Sequence, residues 1–333
     1  MPRDPWLDNV KMALVTFVVV GHMWGQLALG GASDHAYDFL YVWHIPAFVL
    51  VTGHLSRSFE WTRRHLTALV TTLLVPYLIF EPALYYFRVA FGQREDGPLL
   101  LQPHWTMWYL LTVAVWRLAT PVLKRHWVFV PLSVPISLLA GSLEFDLLAV
   151  PRILGLLPFF VIGLHLERRH LAALTTWWAR AVGVAGLAWL WVLAGHTDDL
   201  ARSAFLYYDR PYSELGFSDE AGLAVRLAVL GAGVIGTVGA LSLIPTAASW
   251  FTRLGSASIV VYLFHGFVVR GLEFAGWVGF SERYPNLSFA VLSVLGVAVA
   301  LVLAWPPVSD RLRNVVDPVG WLRRRREAAP TSA

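Results

Sequence analysis

The feature that most restricts this chain is a series of long apolar stretches. They lie near residues 10–30, 38–56, 66–91, 104–121, 127–145, 151–167, 178–195, 222–243, 256–275 and 287–305, separated by short polar segments. A helix that crosses a bilayer needs about 20 mostly apolar residues. The pattern therefore predicts an all-α, polytopic transmembrane bundle of about ten helices. Charge agrees: only 14% of the 333 residues are charged, where soluble domains carry about 25%. Mean hydropathy is +0.58. The first stretch is too long for the apolar region of a signal peptide and has no small-residue cleavage pattern behind it, so it reads as the first helix. Pro131, Pro135 and Pro158 interrupt the fifth and sixth stretches, which membrane helices tolerate where neighbours satisfy the freed backbone groups.

Basic residues set the orientation. With ten crossings, eighteen of the 26 basic residues fall on the side of the N-terminus and eight on the other. The positive-inside rule then puts both termini in the cytoplasm. Residues 1–315 read as one integral membrane domain. Residues 316–333, with the run Arg323 to Arg326, read as a basic cytoplasmic tail without fixed structure, close to anionic head groups. Because the basic residues sit at membrane-loop positions, the net charge of +4 is no nucleic-acid signature. Cysteine is absent, which removes disulfides and thiolate chemistry. Only Lys11 and Lys124 are lysines, as in GC-rich bacterial genomes, so the expected location is a bacterial plasma membrane. The longest outer loop, 196–221, is rich in Asp, Tyr and Phe. It suits sugar binding through stacking and hydroxyl hydrogen bonds, and equally a solvated cap.

Ionisable groups inside membrane spans are costly and point to function. In the first helix, Asp8, Lys11, His22 and Gln26 share one face, because eleven helical steps return to within about 20° of the start. Asp8 and Lys11, one turn apart, can pair. His22 lies about 16 Å further along, near mid-membrane. It is either an interhelical hydrogen-bonding residue or a chemical one. His44, followed by Pro46, falls in the outer half of the second helix. His54 reaches the cytoplasmic interface by snorkelling, and Gly53 permits close packing or ligand approach. Glu81 stands between Pro76 and Pro82 in the outer half of the third helix, and His265 follows Tyr262 by nearly one turn in the ninth. By depth, His22, His44, Glu81 and His265 are candidates for one cavity. No pair has close ligand spacing on a single helix, so no metal site is expected. A proton relay of the kind transporters use is the physical competitor.

Several segments then match a known pattern in order. LDNVKMALVTFVVVGH carries Asp8, Lys11 and His22, with ten residues between the last two. FLYVWHIPAFVLVTGHL carries His44, Pro46, Phe48 and Gly53, with Thr52 where the pattern has serine. RRHLTALVTTLLVPY leads to the proline of the third helix. HWTMWYLLTVAVWRL carries Trp105, Trp108 and Leu110, and LGSASIVVYLFH carries Gly255, Ser258, Tyr262 and His265. Together they resemble the acyltransferase-3 superfamily of integral membrane acyltransferases, particularly its fucose-4-O-acetylase-like branch.

The resemblance implies an enzyme that moves an acyl group, acetyl in the first instance, from cytoplasmic acyl-CoA to a hydroxyl at the outer face. The acceptor would be a glycan, a lipid-linked saccharide or a glycosylated metabolite. Acyl-CoA is then a donor substrate, and no bound cofactor is implied. His22 would act as general base, oriented by His44, Glu81 or His265. Arg57, Arg63 and Arg64, with Lys11, would hold the CoA phosphates through charge-assisted hydrogen bonds. Asp8, Trp105, Trp108 and Tyr262 would support the site. Arg57, Arg63 and Arg64 depart from a regular R-x-x-R spacing. The alternative from another class is a proton-coupled multi-pass transporter or flippase.

Overall fold

The computed structural model describes residues 4–27, 30–93 and 98–328, and no strand occurs among them. The helices that matter here are α1 (Pro5–Trp24), α2 (Ala32–Ser56), α3 (Arg63–Ala90), α4 (Trp105–Leu123), α5 (Phe129–Ala140), α6 (Val150–Gly155) and α7 (Leu157–His165). They continue with α8 (Trp177–Ala194), α9 (Asp219–Leu243), α10 (Trp250–Phe274), α11 (Pro285–Ala304), α12 (Pro306–Val316) and α13 (Pro318–Ala328).

Among the described residues, seven helices are long and apolar enough to cross a membrane: α2 (from Ser33), α3, α4, α8, α9, α10 and α11. Helix α1 has 20 residues, about 30 Å by helical rise, but its first turns hold Asp8, Asn9 and Lys11. The fifth and sixth predicted spans are the short ones. Helix α5 has 12 residues, with Pro135 inside. The sixth is broken at Leu156 into α6 and α7, with Pro158 opening the second piece, as expected where proline removes a backbone donor.

Local chemistry explains the ends and irregularities. Asp4 caps α1, its side chain accepting from the N–H of Trp6 at 3.0 Å, and Pro5 opens the first turn. Helix α3 passes through a π turn at Val70–Leu74 just before Pro76. Such a turn is a local over-wide coil often found at functional sites. The segment read from sequence as an unstructured tail is helical from Pro318 to Ala328, and residues 329–333 lie outside the described part.

Helix α2 is the central post. A Cβ on Gly53 would sit 2.1 Å from the Phe160 carbonyl oxygen, and one on Gly163 would sit 2.0 Å from that of Leu50. The backbones of α2 and α7 therefore touch, the close approach that small residues allow between membrane helices. The packing reading of Gly53 is the one the structure supports. Nearby, the His54 ring bonds the Leu166 carbonyl at 3.0 Å. Lys124 binds Glu60 at 2.5 Å, and that ammonium holds the Glu60 carboxyl below its ordinary range. The 196–221 loop is partly packed and partly exposed. Phe205, Tyr208 and Tyr212 are buried, and all three rings surround the guanidinium of Arg226, the nearest at 4.6 Å.

Candidate active site

His22 ends α1, where Gly21 leaves room beside it. A Cβ on Gly21 would stand 3.7 Å from Nε2 of His44. The His22 ring stacks on that of His265 from α10, centroids 5.4 Å apart, and lies 4.5 Å from the indole of Trp105. Trp105 and His265 are themselves 5.4 Å apart, so the three rings close a triangle. His44 approaches from α2, with its ring edge-on to Tyr41 at 4.7 Å.

Two of the histidines have defined tautomers. Nδ1 of His44 bonds the Leu40 carbonyl at 2.8 Å, and Nδ1 of His265 bonds that of Tyr262 at 2.7 Å. A carbonyl oxygen only accepts, so each Nδ1 carries the proton, and in the neutral ring Nε2 is left as a bare acceptor. Both Nε2 atoms are buried and lack a protein partner.

Glu81 bonds a residue outside the cluster of histidine rings. It is fully buried, but its carboxylate accepts the backbone N–H of His104 at 3.0 and 3.1 Å and is also bonded by Nδ1 of His104. It borders neither chamber described below. Its partner residue precedes Trp105, which has φ +50, a conformation rarely adopted by a bulky side chain. Gly266 makes space for the indole, since a Cβ there would lie 2.8 Å from Trp105. Glu81 thus ties α3 to the turn that carries Trp105. A buried carboxylate needs such donors, and neither the pairing nor the turn can be inferred from depth alone.

Two chambers lie on either side of a narrow neck that His22 lines. The outer one, about 300 Å³, is bordered by His22, Gln26, Tyr41, His44, Trp105 and Trp108, and by residues contributed from loops. Arg152 pairs with Asp209 at 2.5 Å and lies 5.1 Å above the Trp108 ring. Tyr37 and Tyr207 share a hydroxyl hydrogen bond of 2.9 Å. Arg270 is paired with Glu273 and lies 4.9 Å above Trp105. The inner chamber, about 180 Å³, is bordered by Lys11, Thr52, Tyr109, Arg117, Ser258 and Tyr262 among apolar side chains. Between the chambers is a neck of about 20 Å³. Its wall shares His22, Ile45 and Trp108 with the outer chamber, and Phe48, Tyr109 and Tyr262 with the inner one.

The structure therefore brings together His22, His44, His265, Trp105 and Trp108, and places Lys11 and Tyr262 in the inner wall. Lys11 is paired with Asp8 at 2.6 Å, the one-turn partner expected from spacing. A Cβ on Gly255 would come within 2.2 Å of the Asp8 carbonyl oxygen, which is why α10 can begin against α1. The arginines read as phosphate ligands sit elsewhere. Arg57 donates to the Leu166 carbonyl at 2.7 Å, and Arg63 and Arg64 are exposed at the start of α3. Arg117, Arg152, Asp209 and Arg270 are the charged residues that sequence reading missed. Arg117 had a signal, a lone charge closing an aromatic helix. The Arg152–Asp209 pair joins residues 57 positions apart, which no local pattern reveals.

The fold and site define a multi-pass membrane protein with two half-buried chambers on either side of a neck that a histidine lines. A family model described as an acyltransferase domain, that of the acyltransferase-3 family, matches residues 4–305. The chain belongs to that family, which makes it a membrane acyltransferase. No curated protein and no solved structure matches it.

Proposed function

We propose that this protein transfers an acyl group, acetyl in the simplest case, from cytoplasmic acyl-CoA to a hydroxyl of a sugar-containing acceptor at the outer face of a bacterial plasma membrane. The fucose-4-O-acetylase-like branch is the proposed setting. The observation that carries the proposal is the position of His22, which borders both the neck and the outer chamber. A thioester arriving from the inner chamber and a hydroxyl held in the outer one meet at its ring.

Topology supports the reading. Asn9 bonds the Pro245 and Ala247 carbonyls, Lys124 bonds that of Arg57, and His165 bonds that of Leu123. At the opposite ends, His35 bonds Trp191, Tyr37 bonds Tyr207 and Tyr212 bonds Leu138. This alternation suits ten crossings, with α5 and the α6–α7 pair as short, broken ones, and two cytoplasmic termini.

The chemistry follows from the groups present. His22 takes the proton from the acceptor hydroxyl as the oxygen attacks the thioester carbonyl carbon. The tetrahedral adduct collapses, the carbon–sulfur bond breaks, and the proton passes from His22 to the departing CoA sulfur. A histidine suits both halves of this exchange. His44, with a bare Nε2 in the outer chamber, accepts a hydrogen bond from the acceptor and orients it. Trp105, Trp108 and Tyr41 offer faces for a sugar ring. Because Arg152 and Arg270 each have a carboxylate partner, the chamber suits a neutral polyol better than an anion. Lys11 and Arg117 meet the pantetheine end of the donor, and exposed Arg63 and Arg64 meet its phosphates at the mouth.

The family match over residues 4–305 favours this reading over the transporter one. The test is acyl-CoA consumption by protein in nanodiscs with a glycan extract as acceptor. The expected result is saturable acyl transfer that is lost in a folded His22→Ala variant. Unchanged transfer in that variant would remove His22 from the mechanism.

A further inference from the structure

A second cavity lies beside the outer chamber and has a different chemistry. Helices α8 and α9 touch in their cytoplasmic halves through glycines. A Cβ on Gly183 would lie 2.3 Å from Oγ of Ser242 and 3.1 Å from Gly239, and one on Gly186 would lie 3.0 Å from Ile235. Toward the outer ends the helices part and leave a groove of about 360 Å³. Ala224, Ala228 and Ala232 line it at four-residue spacing, one face of α9. Leu193 and Val42 complete its walls, and Thr197 is the one polar side chain in it. The exposed Leu200 also lines it.

One residue joins this groove to the candidate active site. Leu206 borders both the groove and the outer chamber. The next residue, Tyr207, turns its hydroxyl to Tyr37 in the polar chamber. A molecule that crosses Leu206 passes from an apolar slot at the level of the outer leaflet to an aromatic, hydrogen-bonding space beside His44. A water-soluble sugar has no use for the slot, and the slot and the chamber are separated only by the side chain of Leu206.

We propose that the groove between α8 and α9 holds the hydrocarbon tail of a lipid-anchored acceptor whose polar head group occupies the outer chamber. This rests on the acyl-transfer reading for the identity of the reaction, and on the groove alone for the anchor. The protein thus takes its acceptor laterally from the outer leaflet.

The test uses a dodecyl glucoside with a photoactivatable diazirine at the end of its alkyl chain, added to protein in nanodiscs. Labelling is expected to concentrate on residues 190–201 and 224–232, and to be competed by unlabelled dodecyl glucoside but not by methyl glucoside. Ala228→Trp, which fills the slot, should abolish this labelling. Val234→Trp, on a lipid-exposed part of the same helix, should leave it intact. Labelling spread over all lipid-facing helices, as a bystander would give, would overturn the proposal.

Transfer supplies a second readout. The tail leaves lipid rather than water, so what the groove adds is close packing; corrected for partition into the nanodisc, KM for dodecyl glucoside should be several-fold below that for methyl glucoside. That preference should disappear in Ala228→Trp while turnover of methyl glucoside persists. Equal KM values in the wild type would also overturn the proposal. Focused labelling without transfer to either glucoside would leave the lipid site standing and refute the acyl-transfer reading.

Discussion

The inner and outer chambers are built from opposite materials. The inner one is an apolar sleeve of Leu14, Val51, Leu73 and Val113, with Arg117 and the Asp8-paired Lys11 set into it. The outer one is aromatic and has no uncompensated charge pattern, since Arg152 has Asp209 and Arg270 has Glu273. One suits a flexible thiol-linked arm that follows a charged head. The other suits a neutral, hydroxyl-rich ring. Under the proposed function, the difference is how the protein would keep donor and acceptor apart: each half of the passage has its own solvent character, and only the neck at His22 is common. Every prediction below tests whether the halves can be disturbed separately.

The largest effect belongs to the shared element. His22→Ala should lower kcat by about 10²–10⁴-fold, the usual worth of a positioned general base. Acyl-CoA binding should persist, because His22 does not border the inner chamber. Loss of donor binding together with turnover would mean that the chambers are not independent.

Glu81→Gln should come next. It exchanges a charged acceptor of two His104 N–H groups for a weaker one, at a cost of about 1–3 kcal/mol where a buried group is left poorly satisfied. Thermal unfolding of the variant should report that loss. If Glu81 acts by holding the turn at Trp105, kcat should fall while the pH profile keeps its shape. A shifted pH profile would return Glu81 to the proton-transfer chemistry.

These two residues also mark how far the sequence was legible. The first-helix face of Asp8, Lys11 and His22 could be read from helical spacing alone, and the Asp8–Lys11 ion pair was predicted by the same arithmetic. The burial of His44 and His265 could be read too, since both stand within apolar stretches. What depth cannot supply is a neighbour. Glu81 lies at the right level but turns to His104, a residue in the loop before α4. The break at Leu156 in the sixth predicted span was foreshadowed by Pro158. The outer loop was not: its aromatic residues fold inward around Arg226, a contact between segments that share no periodicity. Loop-borne residues such as Asp209 and Tyr207 enter the site by tertiary packing, which leaves no local trace.

A paired test then separates the chambers. Asp209→Asn removes the charge partner of Arg152 in the outer chamber, and Arg117→Ala removes a cation from the inner one. A charged hydrogen bond is worth about 1.5–3 kcal/mol, so each change should raise one KM by roughly tenfold or more. Asp209→Asn should affect the acceptor and Arg117→Ala the acyl-CoA. If both variants raised both constants, the two materials would be a coincidence of packing and the assignment of substrates to chambers would fall.

The smallest effect is expected at the mouth. Arg63 and Arg64 are exposed in front of α3, where water and salt screen their charge over about 8–10 Å. An exposed contact of this kind contributes about 1 kcal/mol or less, so Arg63→Ala with Arg64→Ala should raise the acyl-CoA KM only a few-fold. The acceptor KM and kcat should not move. Raising the salt concentration should bring wild type and variant together, because screening removes in the wild type what the substitution removes in the variant. Arg117→Ala should keep its defect at the same salt, since its position inside the sleeve is screened far less. A salt-resistant loss at Arg63 and Arg64, equal to that at Arg117, would mean that the donor phosphates are gripped at the surface and that the inner chamber contributes shape rather than charge.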